Sequence, residues 1–416
     1  MESATHRVIE AVWRIESAKV IAAVTRIVKD VGLAEDLAQD ALLAALEKWP
    51  QTGVPDNPGA WLMGTAKHRA IDTVRRRALH ERKESEIVAE VESLHEQATP
   101  DLDAQIDDDV GDDVLRLLFI ACHPILSTDA RVTLTLRLLG GLTTQEIARA
   151  FLAPEPTIAQ RIVRAKKTLS DAKIPFEMPR GVEFDARLSS VLQVIYLIFN
   201  EGYSATAGDA WVRPELCHDA LRLGRILAGL TPNEPEVHGL VSLMAIQTSR
   251  MRARVGPKGE PVLLLDQNRA HWDRILIQVG LGALDRANRL TNEPESYHLQ
   301  AAIAACHARA FRAEDTDWAR IVELYQQLNE LTPSPIIELN RAVALGMAKG
   351  PAAGLAAVDA LRAEAALKEY HLLPSVRGDL LAKLGRIEEA RAEFTRAARL
   401  TRNERERELL LARARA

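Results

Sequence analysis

Residues 142–169 read LTTQEIARAFLAPEPTIAQRIVRAKKTL, and their periodicity decides how the rest of the chain is understood. Thr143 and Thr144 stand where a helix N-cap belongs, and Gln145 to Phe151 form a short helix. Leu152-Ala153-Pro154-Glu155-Pro156 cannot extend it: each proline lacks an amide hydrogen, and Pro154 also disfavours helical geometry at Ala153. From Thr157 the helical period resumes, so the segment is two helices joined by a tight turn. On a helical wheel Ile158, Ile162, Ala165 and Leu169 share one side, while Thr157, Gln160, Arg161, Arg164 and Lys167 share the other. One face is core and the other suits a polyanion, because long cations reach phosphates and Gln or Arg pairs with base edges. A basic face alone is ordinary solvated surface; the preceding helix and turn are what point to DNA recognition.

The composition agrees with an all-α protein of two or three domains: 416 residues, 47% hydrophobic and only 4% aromatic. No apolar run reaches transmembrane length and the N-terminus has no signal-peptide pattern, so a cytoplasmic protein without membrane contact is expected. The net charge of −5 conceals segregation. Residues 60–83 hold seven Lys/Arg against two acids and residues 155–173 five against two, whereas residues 84–113 hold 12 Asp/Glu and no Lys or Arg. Two basic modules flank an acidic connector. Three Cys-His pairs, at Cys122, Cys217 and Cys306, lack the short spacing of a zinc module, so buried thiols are expected, with no metal and no cofactor. There is no phosphate loop and no nucleophile beside a positioned base, which argues against an enzyme.

Upstream, residues 5–31 read as a helix closed by Gly32 as a C-cap, and Ala34 to Trp49 as the next. In the second helix Leu37, Ala41, Ala44 and Ala45 take the core side, and Asp36, Gln39, Asp40, Leu43 and Glu47 form an acidic stripe containing a leucine. That stripe is either solvated surface or a docking face. A turn-rich loop over residues 50–58 leads to a third helix, Gly59 to Arg77, with Met63, Ala66, Ala70 and Val74 inward. Thr65, His68, Asp72, Arg75 and Arg76 face out. Trp61 near its start is either a stacking platform for single-stranded bases or a core anchor.

The stretches AEDLAQDALLAALEKW and NPGAWLMGTAKHRAIDTVRRR resemble region 2 of bacterial sigma factors of the extracytoplasmic-function type, and Leu115 to Leu169 resembles their region 4. The resemblance implies a promoter-specificity subunit whose partners are core RNA polymerase (the β′ clamp helices and the β subunit) and promoter DNA. It places Asp36, Gln39, Asp40 and Leu43 on the clamp helices. It gives Asp56, Asn57, Trp61, Lys67, His68, Arg69, Arg75 and Arg76 to the −10 element, where a flipped base and the opened strand are held. Thr157, Gln160, Arg161 and Arg164 become the −35 readers, with Lys166 and Lys167 near phosphate. Two positions depart from the family pattern: Ala159 replaces a common basic residue, and Leu152 replaces the usual turn glycine. The acidic connector would thread the channel later used by RNA, or act as a spacer.

More than 230 residues follow, beyond a Pro/Gly-marked junction at residues 174–181. Ten helical stretches run from Leu188 to Thr401, and the last pair resembles a tetratricopeptide repeat at Gly378, Leu381, Gly385, Ala390, Phe394 and Ala397, with mismatches at Pro374, Arg377 and Arg402. The expected layout is region 2 over residues 1–80, an acidic linker over 81–112, region 4 with its helix-turn-helix over 113–174, and a TPR-like α-helical repeat domain over 180–416. Such an array offers a concave surface for a peptide, a regulatory protein or the chain's own sigma modules. Two polar clusters interrupt it, Asn200-Glu201-Gly202-Tyr203 and Asp266-Gln267-Asn268-Arg269; helix stop and helix start are the simpler reading, a ligand or interdomain site the other. The alternative overall is a stand-alone helix-turn-helix regulator with a sensing repeat domain, but it gives the region 2 features no role.

Overall fold

The computed structural model describes residues 4–88, 110–205, 208, 210–257 and 259–415. Among them are eighteen α-helices and no strand, with only two isolated bridges. The chain forms two compact units, Met1–Val194 and Ile195–Ala416.

The first unit begins with α1 (Ala4–Val28), α2 (Val31–Thr52) and α3 (Pro58–Val88), packed around Ile21, Val24, Leu37, Ala41, Leu62, Ala66 and Ala70. The α1–α2 turn differs from expectation. α1 stops at Val28, Lys29 takes a left-handed conformation (φ 57°), and the Asp30 carboxylate accepts the Leu33 amide at 2.8 Å, so Gly32 lies inside α2. An aspartate N-cap satisfies an orphan amide at the start of α2, which closes the turn before the glycine is reached. α2 also continues through Pro50 to Thr52 before Gly53 (φ 85°) ends it. In α3 Leu62 is buried while Val74 is exposed, contrary to the expected inward set. From Val74 to Leu79 every residue is exposed, so this part of the helix has left the bundle and its wheel no longer faces a core.

Most of the acidic linker, residues 89–109, lies outside the described residues; residues 81–88 belong to α3. α4 (Val110–Ala121), α5 (Thr128–Leu138), α6 (Thr144–Ala150) and α7 (Glu155–Asp171) follow. α4 packs on α1 and α5 and buries Val114, Leu115 and residues 117–121. Asp113, almost fully buried, sits 3.3 Å from Arg26 of α1 and accepts from Arg116 at 2.6 Å. α8 (Val182–Tyr203) starts in this unit: Arg187 donates to the Phe119 carbonyl at 3.2 Å and Ser190 to the Cys122 carbonyl at 2.8 Å, capping the end of α4.

The second unit adds α9 (Pro214–Leu230), α10 (Pro235–Ser249), α11 (Arg274–Leu290), α12 (Ser296–Arg309), α13 (Trp318–Leu331), α14 (Pro335–Lys349), α15 (Pro351–Ala360), α16 (Leu372–Lys383), α17 (Ile387–Leu400) and α18 (Glu404–Arg415). From α12 onward each helix packs on the next, as in a repeat array. α10 is buried on all sides between α9, α11 and α12. Leu381, Ala390, Phe394 and Ala397 form the α16–α17 core, and Gly385 (φ 75°) makes their turn. Arg377 is buried between Asp359 (2.8 Å) and Glu393 (2.9 Å). α18 has no counterpart in the sequence reading, since its run of alternating Arg and Glu gives almost no apolar face.

Both polar clusters differ from the simpler expectation. α8 runs through Asn200-Glu201-Gly202 to Tyr203 instead of stopping, with Glu201 paired to Arg213. Asn268 caps only a short 3-10 turn, Arg269–His271; the long helix starts at Arg274, where Asp273 accepts the Ile275 and Leu276 amides. All three cysteines are free. Burial pushes Cys122 and Cys217 up to about 12, so both stay protonated thiols. Among the described residues no His/Cys/Asp/Glu group is placed to hold a metal, and no helix is long and apolar enough to cross a membrane.

Candidate nucleic-acid and partner interface

The α6–α7 pair is held by local chemistry. Thr143 accepts the Glu146 amide (3.1 Å) while the Glu146 carboxylate accepts the Thr143 amide (2.8 Å), a reciprocal capping box. Leu152 takes the left-handed conformation (φ 48°) that the turn demands, although it is not glycine. α7 then buries Ile158, Ile162, Ala165 and Leu169, which leaves Thr157, Gln160, Arg164 and Lys167 exposed. Thr157, Gln160, Arg161 and Arg164 line an open cleft of about 430 Å³ whose other wall is the start of α5, Ser127 to Ala130. Arg161 is turned into that wall, 3.2 Å from Asp129, so its charge is partly compensated. Lys166 is on a different side altogether, facing α2.

On α2 the stripe is exposed at Asp36, Asp40 and Leu43, and Gln39 is half-buried. The decisive residue is its neighbour Glu35, which the wheel did not single out. Glu35 is 2% exposed, and one oxygen accepts from Arg137 of α5 at 2.6 Å and from Gln39 at 2.5 Å. The other lies 2.5 Å from Lys166 Nζ, an electrostatic contact without hydrogen-bond alignment; Lys166 is also 3.5 Å from Asp36. Around this cluster Ser170 donates to Asp30 (2.8 Å) and Arg14 pairs with Glu146 (3.0 Å). α1 and α2 are thereby ion-paired to α5, α6 and α7. The three-helix bundle and the helix-turn-helix are closed on one another.

Around the start of α3, Asn57 accepts the Ala60 amide at 3.1 Å, and Asp56 beside it is exposed. Trp61 is half-buried: its ring meets buried Trp49 edge-on at 5.4 Å, with Lys48 Nζ 6.0 Å above it. His68, Arg75 and Arg76 are exposed and Lys67 is half-buried. Arg69 pairs with Asp40 at 3.3 Å, joining a residue expected at the −10 element to one of the acidic stripe on α2. Exposed pairs of this kind are worth ~0–1 kcal/mol and yield readily to a partner.

Residues 14–79 match the family "Sigma-70 region 2", residues 116–169 match "Sigma-70, region 4", and residues 187–288 match a "Family of unknown function (DUF6596)". Along 92% of its length the chain is 44% identical to "Uncharacterized protein R00370" of Rhizobium meliloti, covering 89% of that protein. It is 25% identical over 169 residues to "Probable ECF RNA polymerase sigma factor SigI" of Mycobacterium tuberculosis, which is 41% of this chain and 57% of that protein. No solved structure matches the chain. With both sigma regions in order, a full-length relative and a helical extension after them, the chain belongs to the extracytoplasmic-function sigma factors that carry a long helical C-terminal part.

Proposed function

We propose that the protein binds core RNA polymerase through the Asp36–Asp40–Leu43 face of α2, holds the opened −10 strand with α3 and its preceding loop, and reads the −35 element with α7. The observation that supports this best is the open cleft beside Thr157, Gln160 and Arg164, on a helix whose opposite face is fully committed to core. Binding, not catalysis, is the activity: phosphate contacts set register, a few base contacts select the promoter, and the polymerase performs the chemistry in the cytoplasm. Residues 1–80 then serve as region 2, 81–112 as linker, 113–174 as region 4 and 180–416 as a regulatory helical extension.

The closed packing has a functional meaning in this reading. Lys166 on α7 and Asp36 on α2 occupy each other, so engagement of polymerase and promoter requires the Glu35 cluster to open. The test is transcription in vitro from a promoter of the same genome, with core polymerase and the full chain. Asp40→Arg abolishes the stimulation while the protein stays folded; undiminished transcription by that variant removes the α2 face from the scheme. Regulation in cis is tested by truncation after Val194, since a cut at Arg180 would strip Arg187 and Ser190 from the end of α4. Equal initiation by truncated and full chains would refute it.

A further inference from the structure

Arginines buried in a protein are normally matched by carboxylates, and in the second unit Arg213 with Glu201 and Arg377 with Asp359 and Glu393 follow that rule. Arg250, Arg254 and Arg269 break it. They are 7%, 8% and 7% exposed, and among the described residues none forms an ion pair. Arg250 donates to Gln247 at 2.5 Å and to the Tyr203 hydroxyl; Arg254 donates to the Tyr203 carbonyl at 2.8 Å. Arg269 donates to the His307 and Ala310 carbonyls, both at 2.7 Å, and to Thr316 at 3.1 Å. Asp315 and Glu314 act on Arg269 only from beyond ion-pair distance. All three Nε atoms are buried without a partner. Tyr203 and Trp272 lie against the guanidinium planes, which softens but does not cancel three positive charges in a low dielectric.

Both polar clusters singled out in the sequence converge here. Tyr203 from the first and Arg269 from the second meet around Arg250 and Trp272. Arg250 opens onto a cavity of about 410 Å³ between α8, α10, α12, α13 and α14, within the ~300–1,000 Å³ of small-molecule sites. Its apolar lining includes Leu243, Ile246, Ile303 and Leu328, and its polar lining includes Gln247, Gln300, His307 and Asn340. The surplus charge is felt inside: burial, then Arg250 and Arg269, hold His307 down at about 3, so its ring is neutral and its Nδ1 has no partner.

We propose that this cavity binds a small organic anion, a carboxylate on an apolar body, with the carboxylate on the Arg250 guanidinium and the body against Leu243, Ile246, Ile303 and Leu328. A planar guanidinium presents paired donors that match a carboxylate, and the charges of Arg254 and Arg269, which have no ion pair among the described residues, favour the same ligand sign. The site is distinct from the promoter-reading surface, and it is read on the chain alone, so its failure leaves the transcriptional reading untouched.

The probes are octanoate, 1-octanol and inorganic phosphate, titrated calorimetrically into the full chain. Octanoate binds one site per chain at least ten-fold more tightly than 1-octanol, which has the body without the charge, and than phosphate, which has the charge without the body. Arg250→Gln lowers octanoate affinity at least ten-fold and leaves 1-octanol unchanged. In the unaltered chain, saturation with octanoate at neutral pH shifts the His307 ring signals in NMR, a measurement that stands if Arg250→Gln does not fold. Octanoate binding no tighter than 1-octanol, full affinity in a folded Arg250→Gln, or unmoved His307 signals overturns the proposal.

Discussion

Replacing Glu35 with glutamine removes the one buried negative charge that Arg137 and Lys166 share, while keeping the shape of the side chain. Both cations come from α5 and α7 and the carboxylate from α2, so the whole effect falls on the contact between the two sigma regions. Breaking a fully buried pair costs ~3–5 kcal/mol because the remaining charge is left without a partner. Arg137 and Lys166 keep side-chain exposures of 20% and 18% and can recover part of their hydration. That brings the loss to ~2 kcal/mol, or roughly a 30-fold shift of the closed–open equilibrium toward open. The assay is a distance measurement between labels at exposed Glu47 and Glu155 in the full chain, with half-buried Cys306 replaced by serine. Glu35→Gln broadens and lengthens the distribution, and affinity for core polymerase rises by up to the same factor. An unchanged distribution together with unchanged affinity would show that the Glu35 cluster holds nothing closed.

Leu152→Gly relieves a left-handed leucine costing ~1–2 kcal/mol and loses ~0.4–1 kcal/mol to unfolded-chain entropy, for a net gain of about 0.5 kcal/mol. The Leu152 side chain is 55% exposed, so little packing is lost; denaturant melts check the gain, and a destabilised variant contradicts it. Arg164→Ala weakens −35 duplex binding and flattens the salt dependence by ~0.9 in log–log slope per lost phosphate contact, or relaxes one base by ~1–3 kcal/mol if it reads an edge. Arg161→Ala has a smaller effect because Asp129 already compensates its charge, and anisotropy titrations at several salt concentrations separate the two. His307 titrates near 6.5 when unfolded and near 3 when folded, so the unfolded chain takes up a proton that the folded chain refuses. Its contribution to stability is complete above pH 6.5 and is lost as pH falls toward 3; His307→Gln flattens this acid limb in melts at pH 7.5 and 5, and an identical slope would count against it.

The helix-turn-helix was legible because its determinants are neighbours in sequence: a threonine at the N-cap, two prolines, and four apolar residues on one helical face. The stripe on α2 was legible for the same reason. Glu35 was not, since its burial depends on Arg137, 102 residues away, and on Lys166. The place of Lys166, expected near phosphate, against Glu35 and Asp36 of α2 was hidden for the same reason. The arginines around the second-unit cavity were hidden in another way. In a helical sequence rich in Arg and Glu nothing marks those few that fold inward, and only the Tyr203 and Arg269 clusters hinted at it. Val74 shows the limit of the wheel itself, which assumes a core along the whole helix.

The glycines of the second unit explain why its repeats look so worn. A methyl group on Gly378 would stand 2.9 Å from the Phe394 ring, one on Gly354 2.7 Å from the Gly346 backbone, and one on Gly239 2.7 Å from the His298 amide. Three crossings, α16 on α17, α14 on α15 and α10 on α12, thus set their separation with a missing side chain, at a different position along the helix in each. The same close approach recurs at these three crossings although its glycine stands at a different position in each. Kinship within this array is therefore better sought by superposing helix axes than by aligning residues, and grafting one hairpin into the slot of another would jam unless its notch moved with it.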